Sequence, residues 1–193
     1  LQCLVQLNCV AACDRARSCR TLLQKRLPEQ CTFTDIFDAA PGMEATSVWS
    51  WTGLSAVELR AKLDGSPVEA LQRCSRCSRD GTARCKLSRG IGAIIGSPCQ
   101  PWSLCGKHHG EKDARVLVLV AWARWVRHVK PLWLLHENVH GFDESLLERL
   151  LGDKYAMRTW ESWPSDAGFN VIRRPRLYTA LWVCRALCQS LGC

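Results

Sequence analysis

The chain has 193 residues, 47% of them hydrophobic and 23% charged, with a formal net charge of +8 and a pI near 9.0. That balance excludes a disordered chain, and at this length it supplies one full core. The positive excess points to polyanionic partners such as nucleic acid. It is densest where Arg73, Arg76, Arg79, Arg84, Lys86 and Arg89 face only Asp80.

No apolar run reaches the roughly 18–20 residues of a membrane span, so no membrane partner is expected. The N-terminus lacks the basic, apolar, small-residue order of a signal peptide. Thirteen cysteines without that signal imply reduced thiols in a nuclear or cytoplasmic protein, not a disulfide framework. The chain starts at Leu1 without an initiator Met and stops at Cys193, and is read as a fragment.

In chain order, residues 1–30 read as an N-terminal helical extension that stops at Pro28, with Cys3, Cys9, Cys13 and Cys19 in no compact ligand pair. Cys31 to Phe37 alternates and is rich in β-formers, which predicts a strand. Asp38 to Gly42 breaks it, giving the strand–turn–helix opening of a cofactor-binding α/β sheet. Ser55 to Gly65 has the start and stop signals of a helix. Cys74, Cys77 and Cys85, with Cys105, His108 or His109, offer partial zinc chemistry; a second close pair is missing, and no metal is expected.

Gly92 to Ile95 predicts a central strand running into Gly96-Ser-Pro-Cys-Gln-Pro-Trp-Ser103. Pro98 and Pro101 stiffen the backbone around Cys99. A thiol on a turn after a buried strand is where an α/β enzyme places a nucleophile, although a plain Pro-rich turn fits the octet equally well. Ala114 to Val129 predicts a helix, with Arg115, Arg124, Arg127 and His128 on its wetter side. Leu132 to His136 predicts a buried strand, with Glu137-Asn-Val139 at its end.

Carboxylates are rarely buried without a role, so Glu137 is a candidate acid, the alternatives being a cap or an ion-pair partner. Asp143 is expected to cap a helix through Leu151, with Gly152 just past it. Strands are expected at Tyr155–Trp160 and Leu177–Val183. Alternating strands and helices imply an α/β sheet, mostly parallel. Cys99 and Glu137 then lie outside the C-terminal ends of two strands on one sheet edge.

These residues resemble the C5-cytosine DNA methyltransferases. The octet at Gly96–Ser103 resembles that family's nucleophile motif, Glu137-Asn-Val139 its Glu-Asn-Val, and Arg174-Pro-Arg176 its Arg-x-Arg before the last core strand. Phe33-Thr-Asp-Ile-Phe37 resembles the opening of its S-adenosylmethionine site. The order and intervals also match: Cys99 follows Phe37 by 62 residues, Glu137 follows Cys99 by 38, and Arg176 follows Glu137 by 39. Ala39 and Pro41 stand where the family carries glycines, and Ile172 where it usually has Gln.

The resemblance implies a Rossmann-like, S-adenosylmethionine-dependent methyltransferase fold with helices on both faces of the sheet. Its catalytic core would span residues 31–184, with 185–193 starting a truncated C-terminal part. It implies a DNA cytosine-5 methyltransferase acting on a cytosine flipped from double-stranded DNA, through a covalent Cys99 adduct. Catalysis would fall to Cys99, Glu137, Arg174 and Arg176, cofactor binding to Asp35, Phe37, Glu58, Asp80 and Pro98, and substrate binding to Ser97, Gln100, Ser103 and Asn138. Two alternatives stand beside it: a non-catalytic relative that only binds nucleic acid, and the family's tRNA-methylating branch, in which Thr usually stands at the position of Ser103.

Overall fold

The computed structural model describes residues 11–27, 31–39, 50–65, 92–103, 109–169 and 174–183. The chain divides into two compact units, Leu1–Glu44 with Val68–Gly90, and Ala45–Pro67 with Ile91–Cys193. In the first unit, β1 (Ala11–Cys13) pairs in parallel with β2 (Cys31–Phe33), and α1 (Arg17–Arg26) connects them. A strand at β1 was not expected. The predicted strand at Cys31–Phe37 is also shorter than expected: Phe33 is its last residue, and a single turn of helix, α2 (Ile36–Ala39), already holds Ile36 and Phe37.

The second unit is built on a four-stranded sheet in the order β3-β4-β6-β5. The strands are β3 (Gly92–Gly96), β4 (Trp133–Val139), β5 (Tyr155–Ser162) and β6 (Arg176–Val183). β3 and β4 are parallel, whereas β6 runs antiparallel to both β4 and β5. The sheet is therefore mixed. β3, expected to be central, is an edge of this sheet.

Three helices complete the unit: α3 (Ala56–Asp64), α4 (Val116–Val129) and α5 (Ser145–Leu151). Ser55 and Glu58 form a reciprocal capping box that starts α3: Ser55 Oγ accepts from the Glu58 N–H at 3.3 Å, and the Ser55 N–H donates to Glu58 Oε2 at 2.9 Å. α4 ends where Lys130 turns left-handed (φ 55°) ahead of Pro131. At the start of α5, Asp143 Oδ1 accepts from the N–H and hydroxyl of Ser145 at 3.1 and 2.6 Å, as its position predicts.

Strand β4 alternates strictly, with Leu134, His136 and Asn138 buried and the residues between them half-buried. The buried set faces the helices, and the Trp122 ring of α4 lies 6.1 Å from His136. Leu119, Val126, Leu134, Leu147, Leu150, Leu151 and Leu181 fill this core, each at 1% exposure or less. Burying such a side chain stabilises by roughly 1.5–3 kcal/mol.

Two expectations for α4 are corrected. Arg124 and Arg127, read as solvent-facing, are 4% and 3% exposed. Arg127 reaches Asp64 on α3 at 2.5 Å and Asp153, just after α5, at 2.7 Å, and donates to the Leu150 carbonyl at 2.9 Å. A guanidinium can lie inside when carboxylates from two other elements meet it in fork geometry. No helix among the described residues is long and apolar enough to cross a membrane.

Candidate active site

The parallel β3–β4 ladder sets the site. Its register pairs Gly96 with Glu137, so the turn that carries Cys99 leaves the sheet beside the candidate acid. The turn closes on itself, because the Cys99 carbonyl accepts from the N–H groups of Trp102 at 3.0 Å and Ser103 at 2.9 Å. Cys99 is a free, half-buried thiol, with Pro98 half-buried before it and Gln100 exposed after it.

Glu137 lies on the sheet face opposite the helices. Arg176, the first residue of β6, meets its Oε1 through Nε at 2.6 Å. The antiparallel register places Tyr178 directly across from Glu137, so Arg176 reaches it along the diagonal. Two residues 39 apart in sequence are thus joined by a charge-assisted bond. Arg174, the other arginine of the pair, is exposed.

Ser97 and Asn138, read as substrate ligands, lie inside, at 7% and 1% exposure, and their polar atoms bond to one another. Asn138 Nδ2 donates to Ser97 Oγ at 2.7 Å, and Asn138 Oδ1 accepts from the Val139 N–H at 2.8 Å. His136 Nε2 lies 2.8 Å from Ser97 Oγ. Burial depresses the pKa of His136 from 6.5 to about 4. Ser103 is half-buried.

Sequence reasoning missed two neighbours of the nucleophile. The first is His136, whose signal is a polar side chain in the otherwise apolar run from Leu132. The second is Arg115. Its guanidinium is held above its usual range first by hydrogen bonds to Asp113, with the Cys99 thiolate a smaller electrostatic contributor. The same contact brings Asp113 down to about 2. Arg115 therefore places positive charge within electrostatic reach of the Cys99 sulfur.

The cofactor candidates divide. β2 is followed by α2 through a turn at Thr34–Asp35, earlier than the break expected at Asp38–Gly42, and in that turn Asp35 Oδ1 accepts from the Phe37 N–H at 3.3 Å. These residues fit the opening of a nucleotide-type site. Glu58 does not fit a ribose contact: its carboxylate is bound to the Ser55 N–H and hydroxyl, which lower its pKa. Asp80 lies outside the described residues, as do Cys74, Cys77, Cys85, Cys105 and His108, and with them the zinc candidates. Among the described residues no group of three or more His, Cys, Asp or Glu is placed to hold a metal ion.

Comparison with known proteins agrees with the octet and the strand pair. The family model described as C-5 cytosine-specific DNA methylase matches residues 87–155. The Type II methyltransferase M.MthTI of Methanothermobacter thermautotrophicus is 43% identical over 51 residues, 26% of this chain and 16% of that protein. M.PspPI of Psychrobacter is 42% identical over 50 residues, 26% of this chain and 12% of that protein.

Among solved structures, a DNA modification methyltransferase encoded within an E. coli prophage aligns with a TM-score of 0.51 at 16% identity, over 96% of this chain and 41% of that one. The Dnmt2 methyltransferase of S. pombe aligns at 0.50 and 18%, over 91% of this chain and 43% of that one. At these identities the structures show the fold, which is α/β, Rossmann-like and of methyltransferase type. The chain spans about two fifths of their length.

Proposed function

We propose that the chain, whose residues 87–155 match the C-5 cytosine-specific DNA methylase family model, carries the nucleophile-and-acid part of a DNA cytosine-5 methyltransferase. The observation that supports this most is the meeting of three separated motifs on one sheet edge. Gly96, at the foot of the Cys99 turn, is paired with Glu137, and Glu137 is ion-paired with Arg176.

Cytosine carbon 5 is a weak nucleophile, and the residues present address that problem. The Cys99 thiolate adds to carbon 6, forming a sulfur–carbon bond and pushing electron density towards carbon 5. Glu137 in its acid form donates a proton to ring nitrogen 3 and so takes up the charge that the addition would leave on the ring. Arg176 aims the carboxyl group through Oε1, and the missing Cβ at Gly96 keeps the space beside Oε2 open for the base edge.

S-adenosylmethionine, when bound, supplies an electrophilic methyl group; Asp35 and Phe37 are the described residues offered to hold it. Release from a 5-methylated adduct would need a base to take the carbon-5 proton; the electron pair would re-form the carbon 5–carbon 6 double bond, Cys99 would leave as thiolate, and the nitrogen-3 proton would return to Glu137. The base must first leave the helix, at a cost of a few kcal/mol, and the basic surface that includes Arg174 would hold the phosphates.

The test is covalent capture of an oligonucleotide containing 5-fluorocytosine, with S-adenosylmethionine present and the chain in its full-length context. We expect an adduct that disappears in Cys99→Ala. Parallel DNA and tRNA substrates separate the two branches of the family. No adduct with either substrate, from protein that melts cooperatively, would leave a non-catalytic relative that only binds nucleic acid.

A further inference from the structure

Inside the sheet, behind Cys99, three polar side chains form a hydrogen-bonded chain. Of the two amide atoms of Asn138 only Oδ1 can accept from the Val139 N–H, so Nδ2 faces Ser97. Ser97 Oγ accepts that bond and lies 2.8 Å from His136 Nε2, where either atom can be the donor. All three side chains are buried, and burial holds the His136 pKa down at about 4.

The same ring touches the other end of the turn. Phe142 packs at a tilt of 44° against His136 with centroids 4.7 Å apart, and Trp102 meets Phe142 edge-on, also at 4.7 Å. Gly141 lets the chain come close here, because a Cβ on it would stand 2.9 Å from the Trp102 carbonyl oxygen. Ser97 lies two residues before Cys99 and Trp102 three residues after it.

We infer that His136 is a positioning residue that clamps the nucleophile turn from both sides, through Ser97 and through Phe142 to Trp102. The inference rests on the reading of Cys99 as the nucleophile. A polar residue serves at 136 because the buried Ser97 hydroxyl needs a hydrogen-bond partner, and a ring serves because it meets both Trp122 and Phe142.

Two variants separate these duties. His136→Phe keeps a ring and removes the polar partner, and Ser97→Ala removes the hydroxyl. Nitrogen-15 spectra of histidine-labelled chain should show one ring, assigned by its loss in His136→Phe, whose Nε2 signal moves in Ser97→Ala at constant pH. An Nε2 signal that does not move overturns the clamp.

In the capture assay each variant should be slower by about tenfold at saturating oligonucleotide, with the half-saturating concentration unchanged. The double variant should be no slower than the slower single one. Unchanged capture, or losses that multiply, overturn the clamp. If the wild-type chain captures no cytosine at all, the function proposed above falls, and the clamp is judged on the thiol alone. Site-resolved alkylation of Cys99, normalised to Cys31 in the same sample, should then change by about threefold or more in both variants, and an unchanged ratio overturns it.

Discussion

Gly96 stands directly opposite Glu137 in the β3–β4 ladder, and a Cβ at Gly96 would lie 3.1 Å from Glu137 Oε2. The carboxylate cannot easily retreat, because Arg176 holds its other oxygen at 2.6 Å. The strand that leads to Cys99 and the strand that carries Glu137 are thus fitted to each other at one missing methyl group.

Gly96→Ala is therefore expected to act on the site more than on the fold. A displacement of a few tenths of an ångström should slow covalent capture by about tenfold, while the melting temperature moves by no more than about 2–4 °C. A large fall in melting temperature with capture unchanged would show that the glycine serves only the sheet.

The Glu137–Arg176 pair should be worth little to stability. The two side chains are 35% and 20% exposed, so solvent screens the attraction. A double-mutant cycle of Glu137→Gln and Arg176→Gln, read by urea denaturation, should give a coupling of about 1 kcal/mol or less. A coupling several times larger would make the pair a structural tie, not an aiming device.

Arg127 is the opposite case. Burial alone would raise Asp64 and Asp153, but hydrogen bonds and charge from Arg127 bring both below the usual carboxylate range. Arg127→Ala empties the space of a buried side chain, while Asp64 and Asp153, 45% and 33% exposed, keep solvent and their Lys154 and Arg60 partners, so it should cost about 2 kcal/mol, chiefly as lost packing. Arg127→Met, which keeps the packing of the stem, should cost less. Because the folded pKa values are depressed, the stabilisation is present above the ordinary carboxylate pKa and lost as pH falls through the lower folded values. Acid titrations of Arg127→Met should show a shallower loss below about pH 4 than wild type.

His136 gives a second pH window. Its folded pKa is about 4 against 6.5 when exposed, so the unfolded chain takes up the proton first. Stability should be full above the unfolded value and should decline as pH falls from 6.5 towards 4. Melting temperatures measured across this range should fall in wild type and fall less in His136→Phe. Parallel slopes in the two proteins would mean that the ring does not stay neutral inside.

Much of this was legible in the sequence because it depends on local rules. Ser55 and Gly65 bracket α3, Lys130-Pro131 ends α4, and the alternation of β4 separates its two faces, each through short-range geometry. The octet around Cys99 announced itself through two prolines and a thiol. What failed did so where distant groups decide. Arg127 looked solvent-facing because periodicity counts every arginine as wet; carboxylates from α3 and from the residue after α5–Gly152 made it interior. Glu58 had the interval of a cofactor ligand, but a serine three residues earlier uses its carboxylate for a cap. Ser97 and Asn138 looked like substrate contacts because they flank the chemistry, yet they turn inward to each other.

By itself, then, the sequence determined most elements of the second unit and the order of the motifs, since strand period, helix stops and backbone stiffness are written in neighbouring residues. Only the tertiary structure decided which of those residues face one another. The β3–β4 register set Gly96 against Glu137, the antiparallel turn of β6 brought Arg176 to the acid, and the packing of α4 on β4 enclosed His136 behind Cys99. Pairing across strands depends on how separate elements bury their apolar faces together, and no single stretch of chain contains that information.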